Sequence, residues 1–147
     1  MLTLDNNCIV IFGASGDLTQ RMLIPALYKL YTLQKLPLSF AILGVSRSTY
    51  DDQSFRDKLI KNLASGDNVD QTSLARFCEH LFYQAMDPEN TDEYTSLKER
   101  IKSIEKQFTI QSNTLFYLAT PPSLYSVIPQ NLAAHDMNVE DQGWKRL

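Results

Sequence analysis

Residues 8–22 carry the feature that most restricts the fold: an apolar run that leads directly into two glycines. Cys8 to Phe12 are all apolar, Gly13 and Gly16 follow them, and apolar residues then recur at helical spacing. This order is typical of a buried parallel strand that turns into a helix. Gly13 allows a sharp reversal of the chain, and Gly16 leaves room for a ligand beside the unpaired N–H groups of a helix N-terminus. The stretch predicts a nucleotide phosphate cradle, with a plain strand-to-helix connection as the alternative.

The composition indicates one domain with a real hydrophobic core. The chain has 147 residues, of which 44% are hydrophobic, and this is enough for one α/β unit. A net charge of −3 without a basic run argues against nucleic-acid binding. No apolar run approaches the roughly 20 residues that cross a membrane, and the N-terminus lacks the features of a secretion signal. We therefore expect neither a nucleic-acid nor a membrane partner.

Cysteine and histidine usage does not indicate metal or disulfide chemistry. Cys8 belongs to the apolar strand and Cys78 to a helix-like segment, so we interpret both as reduced, packed thiols of a cytoplasmic protein. His80 and His135 have no partner at metal-ligand spacing, and we expect no metal site.

Apolar periodicity and breaker residues predict the other elements. A helix follows the glycine turn and runs to about Gln34, and Pro25 predicts a kink near residues 21–25 because it removes a backbone hydrogen bond. Residues 65–68 are expected to end the helix that precedes them. The remaining predicted elements are strands at 39–45, 81–85 and 114–118, helices at 51–64, 71–78, 91–108 and from Ser123 to His135, and the start of a strand at 143–147.

The alternation of these elements predicts an α/β fold. Strands buried on both faces and separated by helices indicate a doubly wound parallel sheet, Rossmann-like, in three layers α/β/α, with the last strand incomplete. In such a sheet the ligand lies beyond the carboxyl ends of the strands. Four predicted strand ends meet at that edge and favour the binding-site interpretation of the glycine turn: residues 13–17, 46–48, 86–88 and 119–122.

The end of the second strand indicates which dinucleotide is bound. An acidic residue usually stands there and accepts hydrogen bonds from the adenosine ribose hydroxyls, but this chain has Arg47. A guanidinium pairs bidentately with a 2′-phosphate, and Ser46 and Ser48 could add neutral donors. NADP is therefore favoured over NAD, with a solvated surface arginine as the alternative interpretation.

The glycine motif departs from the common dinucleotide fingerprint. Ser15 and Leu18 occupy the second and third glycine places of G-x-G-x-x-G, so that only Gly-x-x-Gly remains. Asp17 is unexpected because a carboxylate repels a pyrophosphate. We expect Asp17 to turn away from the ligand and either cap the helix or pair with Arg21 or Arg47.

Five short motifs together give a specific family resemblance. They are the turn Gly-Ala-Ser-Gly-Asp-Leu-Thr, Pro25, Gly-Val-Ser-Arg at 44–47, Phe-Tyr-Leu-Ala-Thr-Pro-Pro at 116–122 and Gly-Trp-Lys-Arg at 143–146. The chain resembles the glucose-6-phosphate dehydrogenases over nearly its whole length. The resemblance implies that 1–147 is an NADP-binding domain whose larger α+β substrate domain is absent. It also implies that the full-length protein forms a homo-oligomer and oxidises glucose 6-phosphate to 6-phosphogluconolactone, the first step of the pentose phosphate pathway.

The same resemblance assigns the cofactor site. Arg47, with Ser46 beside it, would contact the 2′-phosphate, and Met86 and Asp87 would lie near the adenine. The remaining assignments are the cofactor turn, made by Gly13, Ser15, Gly16, Asp17 and Leu18, and the contacts to the pyrophosphate or the nicotinamide ribose, made by Ala119, Thr120 and Pro121.

Two departures from the family pattern limit the expected activity. The family places a lysine where this chain has Met22, so either Arg21 substitutes or activity is reduced. The chain also ends before the family's segments Glu-Lys-Pro-Phe-Gly and Arg-Ile-Asp-His-Tyr-Leu-Gly-Lys-Glu, which hold the substrate and the histidine base. Neither His80 nor His135 is at the carboxyl end of a predicted strand, where the ligand is expected. We therefore expect no catalytic residue in this chain.

Two other functions remain open from the sequence. One is a stand-alone dinucleotide-binding module. The other is a different Gly-x-x-Gly oxidoreductase, such as a short-chain dehydrogenase, which needs a Tyr-x-x-x-Lys pair on a helix. Tyr94 and Lys98 have that spacing, although the charged residues around them favour a solvated helix face.

Overall fold

A five-stranded, wholly parallel sheet forms the centre of the protein in a computed structural model that describes residues 4–66 and 69–147. The strands are β1 (Asn7–Phe12), β2 (Phe40–Ser46), β3 (Leu81–Ala85), β4 (Thr114–Leu118) and β5 (Lys145–Arg146). They lie side by side in the order β3-β2-β1-β4-β5. The order changes direction between β1 and β4, which opens a crevice at the carboxyl ends of these two strands.

Helices cover both faces of the sheet, so the predicted three-layer α/β/α fold is confirmed. The helices are α1 (Ile24–Thr32), α2 (Asp52–Ala64), α3 (Gln71–Cys78), α4 (Glu93–Phe108) and α5 (Val127–Ala134). Successive residues of β1 point to opposite faces of the sheet and so belong to two different cores. Val10 packs with α4 and α5, whereas Ile11 packs with α1, α2 and α3. The two free cysteines, Cys8 and Cys78, are buried in these two different cores.

One strand is less covered than the sequence predicts. We expected every strand to be buried on both faces, but Tyr117 in β4 is 40% exposed. The core beneath α1, α2 and α3 contains buried residues from β1, β2 and β3 and none from β4. The expectation is wrong for β4 because no helix of that layer extends over it.

The expected interruption near Pro25 takes the form of a π-helical turn. This turn spans Thr19–Leu23 and runs directly into α1. At its end the Ile24 N–H donates to the Thr19 carbonyl, five residues back. Pro25 stands in the first turn of α1 and has no N–H, so it cannot continue the ladder of helical hydrogen bonds that begins in the π-helical turn. The proline therefore separates two helical segments.

The last predicted helix begins later than expected. A 3₁₀ turn spans Pro122–Leu124, and α5 begins only at Val127 with Ser126 as its N-cap, so the assignment of Ser123 as the cap is wrong. Pro129 explains the shift because a proline is tolerated in the first turn of a helix and not in its interior. The bounds of α3, β3 and β4 are those predicted, and the other boundaries differ by at most two residues; Ser46, for example, ends β2. Residues 67–68 of the expected helix end lie outside the described residues.

Side chains of α2 occupy the free edge of β3. The Tyr83 N–H donates to the Asp52 carboxylate at 2.8 Å, and the Arg56 side chain donates to the Leu81 carbonyl at 2.7 Å. Asp52 also pairs with Arg100 of α4 at 2.5 Å. Because these contacts satisfy backbone groups that would otherwise be exposed, β3 is a poor template for pairing with another chain.

We expect Asp52→Ala to lower the free energy of unfolding by about 2 kcal/mol, because it leaves the Tyr83 N–H and the Arg100 guanidinium without their partner. Asp52→Asn keeps an acceptor for the N–H and should cost about 1 kcal/mol or less. Urea denaturation measures both values. Asp57→Ala on the exposed side of α2 is the matched control, and an equal loss in Asp52→Ala and Asp57→Ala would contradict the edge role.

Candidate functional site

The turn after β1 is held by hydrogen bonds to its own backbone and to β2. The N–H groups of Gly13 and Ala14 both donate to the Val45 carbonyl, at 2.8 and 3.1 Å. The Gly13 carbonyl in turn accepts from the Gly16 N–H and the Thr19 hydroxyl, both at 3.0 Å. The turn is therefore a fixed element of the sheet edge, as a phosphate cradle requires.

Gly13 occupies a position in the turn that only glycine fits. Its φ angle is +90°, which favours glycine, and a Cβ built on it would lie 2.1 Å from the Ala119 carbonyl oxygen. The two backbones meet because β1 and β4 are neighbours, and the Ala119 N–H extends their ladder by donating to the Phe12 carbonyl at 2.9 Å. This close approach brings the segments after β1 and β4 together.

A cleft of about 460 Å³ opens at this edge of the sheet. All four strand-end segments that the sequence singled out contribute to it, so their predicted convergence is confirmed. The predicted site residues in its lining are Gly13, Ser15, Gly16, Ser46, Arg47, Ala119, Thr120 and Pro121. The lining also includes Ser48 and Pro88, which belong to the predicted strand-end segments, and Glu89, Ser123 and Leu124, which the sequence analysis did not place at this edge.

Four predicted site residues do not line the cleft. Asp17 lies in a neighbouring depression and pairs with Arg21 at 3.7 Å, in agreement with the expectation that it turns away. Leu18 is 47% exposed on the adjoining helical turn. Met86 is buried in the core beneath α4 and α5, and Asp87 is joined to the cleft by its ion pair with Arg47.

Arg47 stands at the carboxyl end of β2 with its side chain 63% exposed. Its Nη2 atom lies 3.2 Å from Asp87 Oδ1 and 3.3 Å from Glu89 Oε2. Both carboxylates follow β3, the neighbour of β2 in the sheet. The strand-end argument could have found Glu89, since it lies one residue beyond the segment that we assigned to this edge.

Ser46 is engaged by a neighbouring phenol. Its hydroxyl lies 2.5 Å from the Tyr83 hydroxyl, which also donates to the Ser48 carbonyl at 2.5 Å. Burial raises the pKa of Tyr83, so the phenol stays protonated and able to donate at neutral pH. The geometry makes Tyr83 a brace for the loop that carries Arg47.

Two polar groups of the cleft lack hydrogen-bond partners. The Thr120 hydroxyl is buried and bonded to nothing in the described part of the chain. The Ser15 N–H likewise donates to no acceptor among residues 4–66 and 69–147. A buried hydroxyl such as that of Thr120 is seldom left unpaired, because the loss of water costs roughly 1–3 kcal/mol. These groups therefore fit a ligand with hydrogen-bonding oxygens, such as a phosphate or a ribose.

The candidate tyrosine–lysine pair has a structural role. The Tyr94 hydroxyl is buried and donates to the Pro88 carbonyl at 2.7 Å, and the Lys98 ammonium donates to the His135 carbonyl at 2.9 Å. Burial raises the pKa of Tyr94 to about 12, the opposite of what a proton-transferring tyrosine needs. This geometry argues against short-chain dehydrogenase chemistry at these residues.

Neither histidine lines the cleft. His80 stacks on Phe40 at 4.1 Å, and its Nδ1 atom lies 2.7 Å from the Phe40 carbonyl at the amino end of β2. His135 follows α5, with its Nδ1 atom 2.9 Å from the Asn131 carbonyl. Within the described residues, no group of three or more metal-ligating side chains occurs, and no helix is long and apolar enough to span a membrane.

Comparison with curated proteins identifies related enzymes. The chain is 48% identical over 143 residues to a glucose-6-phosphate 1-dehydrogenase of Aggregatibacter actinomycetemcomitans. The aligned region covers 97% of this chain and 29% of that protein. It is 36% identical over 148 residues to the enzyme of Treponema pallidum, covering 99% of this chain and again 29% of the relative. The chain thus spans less than a third of the length of these relatives.

Solved structures agree with the sequence relatives. A glucose-6-phosphate dehydrogenase in complex with its substrate glucose 6-phosphate superposes with a TM-score of 0.82 at 30% identity, covering 97% of this chain and 29% of that one. The glucose-6-phosphate 1-dehydrogenase of Mycobacterium avium superposes with a TM-score of 0.77, also at 30% identity, covering 95% and 28%. The family model "Glucose-6-phosphate dehydrogenase, NAD binding domain" matches residues 10–147, and the chain therefore belongs to the glucose-6-phosphate dehydrogenase family, of which it represents the nicotinamide dinucleotide-binding domain.

Proposed function

We propose that this domain binds NADP in the cleft at the carboxyl edge of the sheet. The observation that carries the proposal is the position of Arg47, which lines the same cleft as the Gly13–Gly16 turn. A guanidinium can form two parallel, charge-assisted hydrogen bonds with a 2′-phosphate. The 2′-hydroxyl of NAD is neutral and cannot form such a pair of bonds. The 2′-phosphate is the one group that distinguishes NADP from NAD.

The other residues of the cleft fit the rest of the cofactor. The Ser15 N–H and the absence of a side chain at Gly16 suit the pyrophosphate, close to the positive end of the helical segment that follows. The unpaired Thr120 hydroxyl, between Ala119 and Pro121, suits a ribose hydroxyl or a phosphate oxygen. Asp87 is on the adenine side, and Met86 supports it from the core.

We further propose that the full-length protein is an NADP-dependent glucose-6-phosphate dehydrogenase, acting at the first step of the pentose phosphate pathway. When bound, NADP accepts the hydride that leaves the substrate's hydroxyl-bearing carbon. This chain contributes cofactor binding and orientation. Proton removal requires a base, and because neither His80 nor His135 lines the cleft, we assign the base and the substrate site to a second domain outside this chain.

Two properties of the full-length protein complete the proposal. A cytoplasmic location is supported by the two free, buried thiols, Cys8 and Cys78, since burial raises the pKa of both and keeps them in the unreactive thiol form. Homo-oligomer formation is supported by the family resemblance alone, and size-exclusion chromatography of the full-length protein tests it.

Calorimetric titration with NADP and NAD tests the cofactor assignment. We expect Arg47→Ala to weaken NADP binding by about 10- to 100-fold, because it removes a charge-assisted bidentate contact, and to change NAD binding by less than about twofold. Arg76→Ala in the last turn of α3 removes the same charge away from the cleft and is the control. Equal affinity of the unaltered chain for the two cofactors, or no NADP loss in Arg47→Ala, would contradict the 2′-phosphate role.

A further inference from the structure

Arg47 is already paired with two acids in this structure. Its Nη2 atom contacts Asp87 Oδ1 at 3.2 Å and Glu89 Oε2 at 3.3 Å. A cofactor phosphate that binds Arg47 must therefore approach a guanidinium whose charge is partly balanced by neighbouring carboxylates. The pairing bears directly on cofactor choice.

The two acids differ in how firmly they are held. Asp87 Oδ1 also accepts the Glu89 backbone N–H at 2.9 Å, and the Asp87 N–H donates to Glu93 at 2.7 Å, so Asp87 is fixed by its own turn. Glu89 is different, because Arg47 is the only partner of its carboxylate in the described part of the chain. The Glu89 side chain is 55% exposed and lines the cleft, which Asp87 does not.

Resting on the proposed NADP site, we propose that Glu89 is a specificity-determining residue that competes with the 2′-phosphate for Arg47 and so reduces the preference for NADP over NAD. The 2′-phosphate carries roughly 1.5 to 2 negative charges near neutral pH, by analogy with other phosphate monoesters, and it must displace the Glu89 carboxylate from the guanidinium before it can pair fully with Arg47. The 2′-hydroxyl of NAD is neutral and does not compete with Glu89 for this guanidinium.

The position of Glu89 allows this competition to be reversible. Because its side chain is more than half exposed and anchored only to Arg47, Glu89 can rotate into solvent when a phosphate takes its place. Asp87 remains fixed, so the loop after β3 keeps its shape during the exchange. Glu89 thus acts through Arg47, as a positioning residue, and its effect is confined to the cofactor that carries a 2′-phosphate, NADP.

Glu89→Gln tests the proposal, because it removes the charge and keeps the size of the side chain. We expect NADP binding to tighten by about fivefold, because the phosphate no longer has to break an exposed ion pair, with NAD binding unchanged within about twofold. Glu79→Gln, at the end of α3, changes the net charge equally outside the cleft and should alter neither dissociation constant. Unchanged NADP affinity in Glu89→Gln would overturn the proposal.

A double-mutant cycle separates competition for Arg47 from simple repulsion. In the Arg47→Ala background, Glu89→Gln should tighten NADP binding by less than about twofold, since there is no guanidinium left to release. An equal gain in both backgrounds would overturn the competition. This failure is distinct from failure of the NADP site itself, which would appear as loss of NADP preference in the unaltered chain.

Discussion

Gly13→Ala is expected to lower the free energy of unfolding by about 3–5 kcal/mol and to abolish NADP binding. Two penalties combine at this position. The φ angle of +90° lies where a side chain costs roughly 1–2 kcal/mol, and the new Cβ would meet backbone atoms, 2.1 Å from the Ala119 oxygen and 2.7 Å from its carbonyl carbon. Backbone cannot rotate away as a side chain can, so relief requires the segments after β1 and β4 to separate.

Gly16→Ala is the matched control for this prediction. Its φ angle is ordinary, and the nearest atom to a Cβ there is the Gly13 carbonyl oxygen at 3.3 Å. We expect stability to change by about 1 kcal/mol or less, because the tight contact is offset by the smaller conformational entropy of alanine in the unfolded chain. NADP affinity should nevertheless fall, because the methyl group intrudes on the proposed phosphate cradle. Urea denaturation and calorimetric titration measure the two effects, and equal stability of the two variants would contradict the assigned role of Gly13.

The sheet and its ligand-binding edge could be predicted because they depend on local sequence. In the sequence, a buried strand appears as a short apolar run. Because parallel strands place their carboxyl ends at the same edge of the sheet, Arg47 and the Gly13 turn were expected at that edge. The α5 boundary could not be predicted from apolar periodicity, because Pro129 restricts where that helix begins. The exposure of Tyr117 depends on which helices lie over β4, and periodicity within one strand does not report this.

Side-chain pairings were the least predictable part of the site. Asp17 and Arg21 are four residues apart on one helical segment, and their pairing was one of the three alternatives expected for Asp17. In contrast, the pair formed by Arg47 and Glu89 joins residues 42 positions apart, and it depends on the register of β2 against β3. The unpaired Thr120 hydroxyl is also a tertiary property, since burial is set by the surrounding loops.

Tyr94→Ala is expected to cost about 4 kcal/mol of stability, because Tyr94 is fully buried at the centre of the core beneath α4 and α5. Its ring stacks against Phe12 with centroids 6.4 Å apart. Tyr94→Phe keeps the ring and removes only the hydroxyl that donates to the Pro88 carbonyl. We expect a loss of about 1 kcal/mol there, since Asn131 still donates to the same carbonyl at 3.3 Å.

The pH dependence separates a structural hydroxyl from a catalytic one. Burial raises the pKa of Tyr94 to about 12 from the ordinary value of 10, so its contribution to stability is fully present below pH 10 and is lost as the pH rises towards 12. Tyr94→Phe lacks this titration. The stability advantage of the unaltered chain over Tyr94→Phe should therefore shrink by about 1 kcal/mol between pH 8 and pH 11 in urea denaturation. If the difference in unfolding free energy between the two proteins stayed constant across this range, Tyr94 would not be a buried, protonated phenol. The structural role of its hydroxyl as a donor to the Pro88 carbonyl would then be contradicted.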